Sequence, residues 1–107
     1  MNKEVTLYDI KRNNGDWLIL KAYLSEGKLK LEGHDFTMLS ESMFGDEEYE
    51  YFYFFNQENT QKLSLVFNKK EDLLQCLLDF FNNEIKNQEF IKLCRDNNIA
   101  YEFSSWM

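Results

Sequence analysis

In the stretch "GDEEYEYFYFFNQEN", residues 45 to 59, the side chains of a β-strand alternate between two faces. Tyr49, Tyr51, Tyr53 and Phe55 fall on one face, and Glu48, Glu50, Phe52 and Phe54 on the other. The first face is wholly aromatic, and the second passes from acidic to aromatic. An aromatic row of this kind is the inner layer expected of an antiparallel sheet with helices packed against it. Trp17 and Ile19, or their opposite-phase neighbours Leu18 and Leu20, are candidates to join that layer. Core packing accounts for one face only. Phe52 and Phe54 must be covered as well, or they form a binding patch.

The rest of the chain supplies the sheet and its cover. Alternation in "EVTLYDIKR" stops at "NNGD", where Asn14 and Gly15 suit the positive φ of a type I′ hairpin turn, and "WLILKAYL" follows. A second stop at "SEGK" places Gly27 in a short hairpin loop before "KLKLEG". These three strands predict an antiparallel meander. An irregular link, "HDFTMLSESMFGD", leads to the aromatic segment as fourth strand.

After Asn59 the apolar period becomes helical. Asn59 is the expected cap of "TQKLSLVF", with Leu63, Val66 and Phe67 on one face. Asn68 and Glu71 resemble a capping box for "EDLLQCLLDFF". A third helix, "QEFIKLCRDNN", ends at Asn97 and Asn98, a pair suited to a left-handed cap, and "IAYEFSSW" returns as a short strand. The expectation is α+β: an antiparallel sheet of four to five strands, an N-terminal meander plus a C-terminal strand, with about three helices mainly on one face. At 107 residues, with no proline, Ser/Gly linker or internal repeat, residues 1–107 read as a single domain.

Charge bears on partners. Twelve Lys and Arg against 19 Asp and Glu leave a net charge of −7, so gripping phosphate backbones would work against the protein's own field. No direct nucleic-acid partner is expected. A cationic protein suits the charge better, and solubility alone also accounts for it. No apolar stretch is long enough for a membrane helix and no export signal opens the chain, which predicts a cytoplasmic protein away from membranes. Cys76 and Cys94 lie in apolar helical patterns and are expected to be reduced and buried.

Chemistry finds little footing. His34 is the only histidine. It stands beside Asp35 in "EGHDF", without a third group at a defensible spacing. One His and two isolated Cys give no zinc spacing, "GDEEYE" lacks the ligand order of a calcium loop, and each glycine is isolated. Glu48 and Glu50, about 7 Å apart on one strand face, fit a solvated face better than a glycosidase pair. No catalytic residue, metal or cofactor is expected.

The segments "WLILKAYLSEGKLKLEGHDF", "FGDEEYEYFYFFNQENTQKL" and "FIKLCRDNNIAYEFSSW" together resemble a family of small, acidic bacterial α+β proteins of uncharacterised biochemistry. Its members share a "D.EYEY" strand, an "ENT.KL" helix start and an "F...C...NI.YEF" ending. In general character such proteins are similar to immunity proteins of bacterial toxin systems. That resemblance implies occlusion of a cognate basic toxin of the nuclease type. Asp46, Glu47, Glu48 and Glu50 would face its cationic groups, with Tyr51, Phe52, Tyr53 and Phe54 as anchors. The alternative is a small ligand-binding domain or enzyme with a pocket between sheet and helices, His34 and Asp35 at its mouth.

Overall fold

The computed structural model describes residues 3–13, 15–37, 47–67 and 72–106. Among these residues five strands run in the order β1 (Lys3–Lys11), β2 (Trp17–Ser25), β3 (Lys28–Thr37), β4 (Glu47–Phe55) and β5 (Glu102–Trp106), each antiparallel to its neighbour. Helices α1 (Gln57–Phe67), α2 (Leu73–Phe81) and α3 (Asn87–Asp96) lie between β4 and β5 in the chain. The α+β expectation holds, with a five-stranded sheet and three helices.

The two hairpins exchange roles relative to the sequence reading. The type I′ turn sits at Glu26 and Gly27, with φ of 54° and 76°, between the paired Ser25 and Lys28. Gly15 also takes a positive φ, 97°, but its loop is longer. The Arg12 N–H donates to the Asp16 carbonyl and the Gly15 N–H to the Arg12 carbonyl. The closing pair is therefore Arg12 with Asp16, so the turn is not the two-residue one expected; Asn14 itself lies outside the described residues. In this longer loop Gly15 takes the left-handed conformation, which a residue without a Cβ adopts at no steric cost.

Helix starts also differ from expectation. Asn56, and not Asn59, caps α1: its Oδ1 accepts from the Asn59 N–H at 2.8 Å and from Asn59 Nδ2 at 2.9 Å. Asn59 sits one turn in and is buried. Its Oδ1 accepts from the Ala100 N–H at 2.8 Å, tying α1 to the segment that enters β5. Asp72 caps α2 through Leu74 N–H, whereas Asn68 and Glu71 lie outside the described residues. At the end of α3 the Ile99 N–H reaches Cys94 O and the Asn98 N–H reaches Arg95 O, with Asn98 at φ 56°. This is the Schellman pattern expected at Asn97 and Asn98, with Ile99 and Cys94 buried together beneath it.

The helices share one face of the sheet. Leu20, Ala22, Leu29, Leu31, Tyr51, Tyr53 and Phe55 point from β2, β3 and β4 into a core closed by Leu63, Leu77, Phe81 and Phe90. In β1 the register shifts between Thr6 and Tyr8. This bulge turns both Leu7 and Tyr8 inward, although they are adjacent in sequence. Cys76 and Cys94 are both buried.

Candidate functional site

Strand alternation and the hairpin loops leave a second sheet face whose composition can be read row by row. Across β2, β3 and β4 the pairs Trp17 with Phe36, Ile19 with His34 and Glu50, Lys21 with Glu32 and Phe52, and Tyr23 with Lys30 and Phe54 stand side by side. Among the described residues, no helix packs on this face. Its rings are ordered by stacking. Trp17 and Phe36 lie 5.3 Å apart at 27°, His34 and Phe36 6.0 Å apart at 10°, and Phe52 and Phe54 5.9 Å apart at 19°. Phe54 is 42% exposed.

Polar groups hold this aromatic surface in place and set its charge. The Trp17 indole N–H donates to Asp9 at 2.6 Å while the Lys11 ammonium lies 4.8 Å from the same ring. Lys30 covers Tyr23 at 4.6 Å and reaches Glu32 at 3.7 Å, and His34 Nε2 bonds Glu32 at 2.8 Å. Lys11 and Lys30 are thus each engaged by a ring, and Lys30 by a carboxylate as well. An open groove of about 540 Å³ begins at this end of the face, between Tyr23, Lys28, Lys30 and Phe54. Lys30 and His34 stand four residue steps apart on β3, about 13 Å of strand.

Beneath the sheet lies a different kind of polar cluster. The Tyr51 hydroxyl meets the Tyr8 hydroxyl at 3.2 Å, Tyr8 donates to Asn87 Oδ1 at 3.0 Å, and Asn87 Nδ2 donates back to Tyr51 at 3.0 Å. If Tyr51 donates to Tyr8 the ring closes and every partner is satisfied, which locks β1, β4 and the start of α3 together. Burial raises the pKa of both phenols, and it pushes that of Tyr53 up to about 12. Such groups stay neutral and structural at ordinary pH. Tyr51 fits because Gly33 is its cross-strand neighbour: a Cβ on Gly33 would stand 2.0 Å from the Tyr51 ring.

The residues expected to face a partner therefore divide. Glu50, Phe52 and Phe54 are on the open face, whereas Tyr51 and Tyr53 are 5% and 7% exposed in the core. Those two tyrosines are withdrawn from any partner because strand period gives them the helix side. Glu47 and Glu48 belong to β4, and Asp46 lies outside the described residues. His34 and Asp35 point to opposite faces: His34 stands among open-face rings, while Asp35 pairs with Leu18 and Tyr49 on the helix side. Burial raises the Asp35 pKa, partly offset by Arg12. The two do not form one site.

Sequence reasoning left Trp17 and Ile19 unassigned because the phase of β2 was undecided, and it missed Phe36 because "HDFT" was read as part of an irregular link, whereas β3 runs on to Thr37. The signal lay in side-chain volume. Gly33 opposite Tyr51, and Ala22 in the row of Tyr53, put small residues where large rings need room, and so fix Leu18 and Leu20 inward and Trp17 outward. Among the described residues, no group of three or more His, Cys, Asp and Glu side chains could hold a metal ion, and no helix is long and apolar enough to cross a membrane. No protein-family model, curated protein or solved structure matches the chain.

Proposed function

We propose that this protein is a binding module that takes a cationic protein partner on the open sheet face, in the manner of an immunity protein occluding a basic, nuclease-type toxin. One observation carries the reading: a sheet face without a helix over it among the described residues displays two stacked aromatic pairs, Trp17 with Phe36 and Phe52 with Phe54, among the carboxylates Asp9, Glu32 and Glu50. Aromatic anchors supply affinity at the centre of interfaces, and a complementary field accelerates encounter and disfavours wrong partners. The net charge of −7 gives that field its sign. Cytoplasmic residence accords with this role. The alternative, a pocket with His34 and Asp35 at its mouth, is disfavoured by their placement on opposite faces.

Co-expression with the product of the gene immediately upstream, followed by binding kinetics at low and high salt, tests the proposal. Phe54→Ala is expected to raise the dissociation rate roughly tenfold or more, the loss typical of a hot-spot aromatic. Glu50→Lys and added salt should both slow association. Absence of any complex sinks the reading. A complex that ignores all three perturbations leaves binding intact and removes this face from it.

A further inference from the structure

The two edges of the sheet are built differently. Along β1 the edge carries the bulge at Leu7, the charged side chains of Lys3, Glu4, Asp9 and Lys11, and a cap from the turn after α2, where Asn83 Oδ1 accepts the Asp9 N–H at 3.0 Å. Bulges, charges and covering groups are the devices that stop another strand from adding to an edge. β5 has neither proline, lysine nor bulge in its five residues, and among the described residues it pairs on one side only, with Glu50 to Phe54. Phe103 and Trp106 are 52% and 67% exposed, on opposite faces of the strand by alternation.

We propose that β5 pairs antiparallel with β5 of a second copy, about a two-fold axis at Ser104, so that two five-stranded sheets become one continuous sheet. The strand matches itself in that register. Ser104 meets Ser104 of the second copy, Phe103 meets Ser105, and Glu102 meets Trp106, so each large ring has a smaller neighbour. The two Glu102 carboxylates stand at opposite ends of the ladder, about 13 Å apart. Centring on any other residue of β5 shortens the ladder, whereas Ser104 uses all five residues. Such a contact is isologous and closes as a dimer, and it satisfies edge N–H and C=O groups that no apolar surface can satisfy. This self-match argues for a second copy over a foreign strand. It leaves the open face free and does not rest on the partner proposed above.

Charge distinguishes the two associations. Each copy carries −7, so added salt screens repulsion and strengthens the dimer, while it weakens binding to a cationic partner. The test is sedimentation equilibrium of the purified protein over rising concentration at two salt levels, with cross-linking of Ser104→Cys and Glu102→Cys variants by a short thiol-to-thiol reagent. Cys76 and Cys94 are buried, which keeps the wild type a clean control. The expected result is a mass rising from one chain to two, at lower protein concentration in high salt, with cross-linked dimer from Ser104→Cys and none from Glu102→Cys. A mass of one chain throughout overturns the proposal. So does a dimer in which Ser104→Cys cross-links no better than Glu102→Cys.

Discussion

Replacing Gly33 with alanine puts a methyl group where the Tyr51 ring already lies. The new Cβ would be 2.0 Å from Tyr51 Cζ and 2.4 Å from both Cε atoms, so the ring must move. It has little freedom to do so, because its hydroxyl is held by Tyr8 and Asn87 and the side chain is 5% exposed. Forcing an extra methyl into a packed core costs about 1–3 kcal/mol. Displacing the hydroxyl from its ring of hydrogen bonds adds about 1–2 kcal/mol. Alanine recovers about 0.4–1 kcal/mol through the unfolded state. The net loss is about 1–4.5 kcal/mol, or of order 5–20 °C in melting temperature for a domain of this size. Urea unfolding of Gly33→Ala measures it directly. The decisive control is the same substitution in a Tyr51→Ala background, where the clash is gone and the methyl becomes neutral or mildly stabilising. An equal cost in both backgrounds refutes the assignment of Gly33 to the Tyr51 contact.

Other perturbations follow from the turns, caps and buried phenols. Glu26→Asn places a residue tolerant of left-handed φ in the type I′ turn and is expected to stabilise by about 0.5–1 kcal/mol in urea unfolding; a loss would contradict the turn assignment. Asn56→Ala removes the α1 cap and strands the Asn59 amide, for a cost of about 1–2 kcal/mol, and amide exchange should accelerate at Asn59 and Ala100, whose N–H groups depend on that chain of bonds. Burial raises Tyr53 from 10.0 to about 12 and Cys94 from 9.0 to about 12. Unfolded chains then lose these protons before folded ones do, so their contribution is complete below pH 9 and is lost as pH climbs to about 12. Urea midpoints should stay level up to that range and then fall, with buried phenolate absorbance appearing only on unfolding; a level midpoint up to pH 12 refutes the burial argument.

How far the sequence discloses the fold depends on which interaction decides each element. Strand and helix periods are local properties of the chain, and they place all eight elements because an apolar face at the wrong period cannot be buried. Turn type is decided at longer range. An Asn-Gly pair fits a two-residue turn, yet the register of Leu18 and Leu20 against Ile10 and Tyr8 leaves room for a larger loop there. Glu26 accepts a left-handed backbone because Ser25 and Lys28 must pair and Gln57 Nε2 donates to its carbonyl at 2.8 Å. Capping shows the same limit. Asn56 and Asn59 are both good caps by type, and only the later bond to Ala100 explains why the second is turned inward. The site was half visible: β4 alternation separates Glu50, Phe52 and Phe54 from the tyrosines, but Trp17 and Phe36 join them only once the β2 phase is known.

That alternation gives β4 two separable duties. Odd-numbered Tyr51, Tyr53 and Phe55 close the core beneath the helices, and truncating such a ring costs about 3–5 kcal/mol, a large share of the stability of a domain this small. Even-numbered Glu50, Phe52 and Phe54 touch no helix among the described residues; Glu50 and Phe52 are half-buried, while Phe54 is exposed, and exposed positions away from such packing usually change stability by less than about 0.5 kcal/mol. A strand between two others cannot shift its register by one residue without exchanging the two sets, which would bury Glu50 and expose Tyr51. The closed ring of Tyr8, Tyr51 and Asn87 opposes that shift, because its three hydrogen bonds exist only when Tyr51 lies across from Gly33. A buried network far from any solvent-facing chemistry thus has a consequence on the other side of the sheet: it fixes which side chains of β4 a partner could meet.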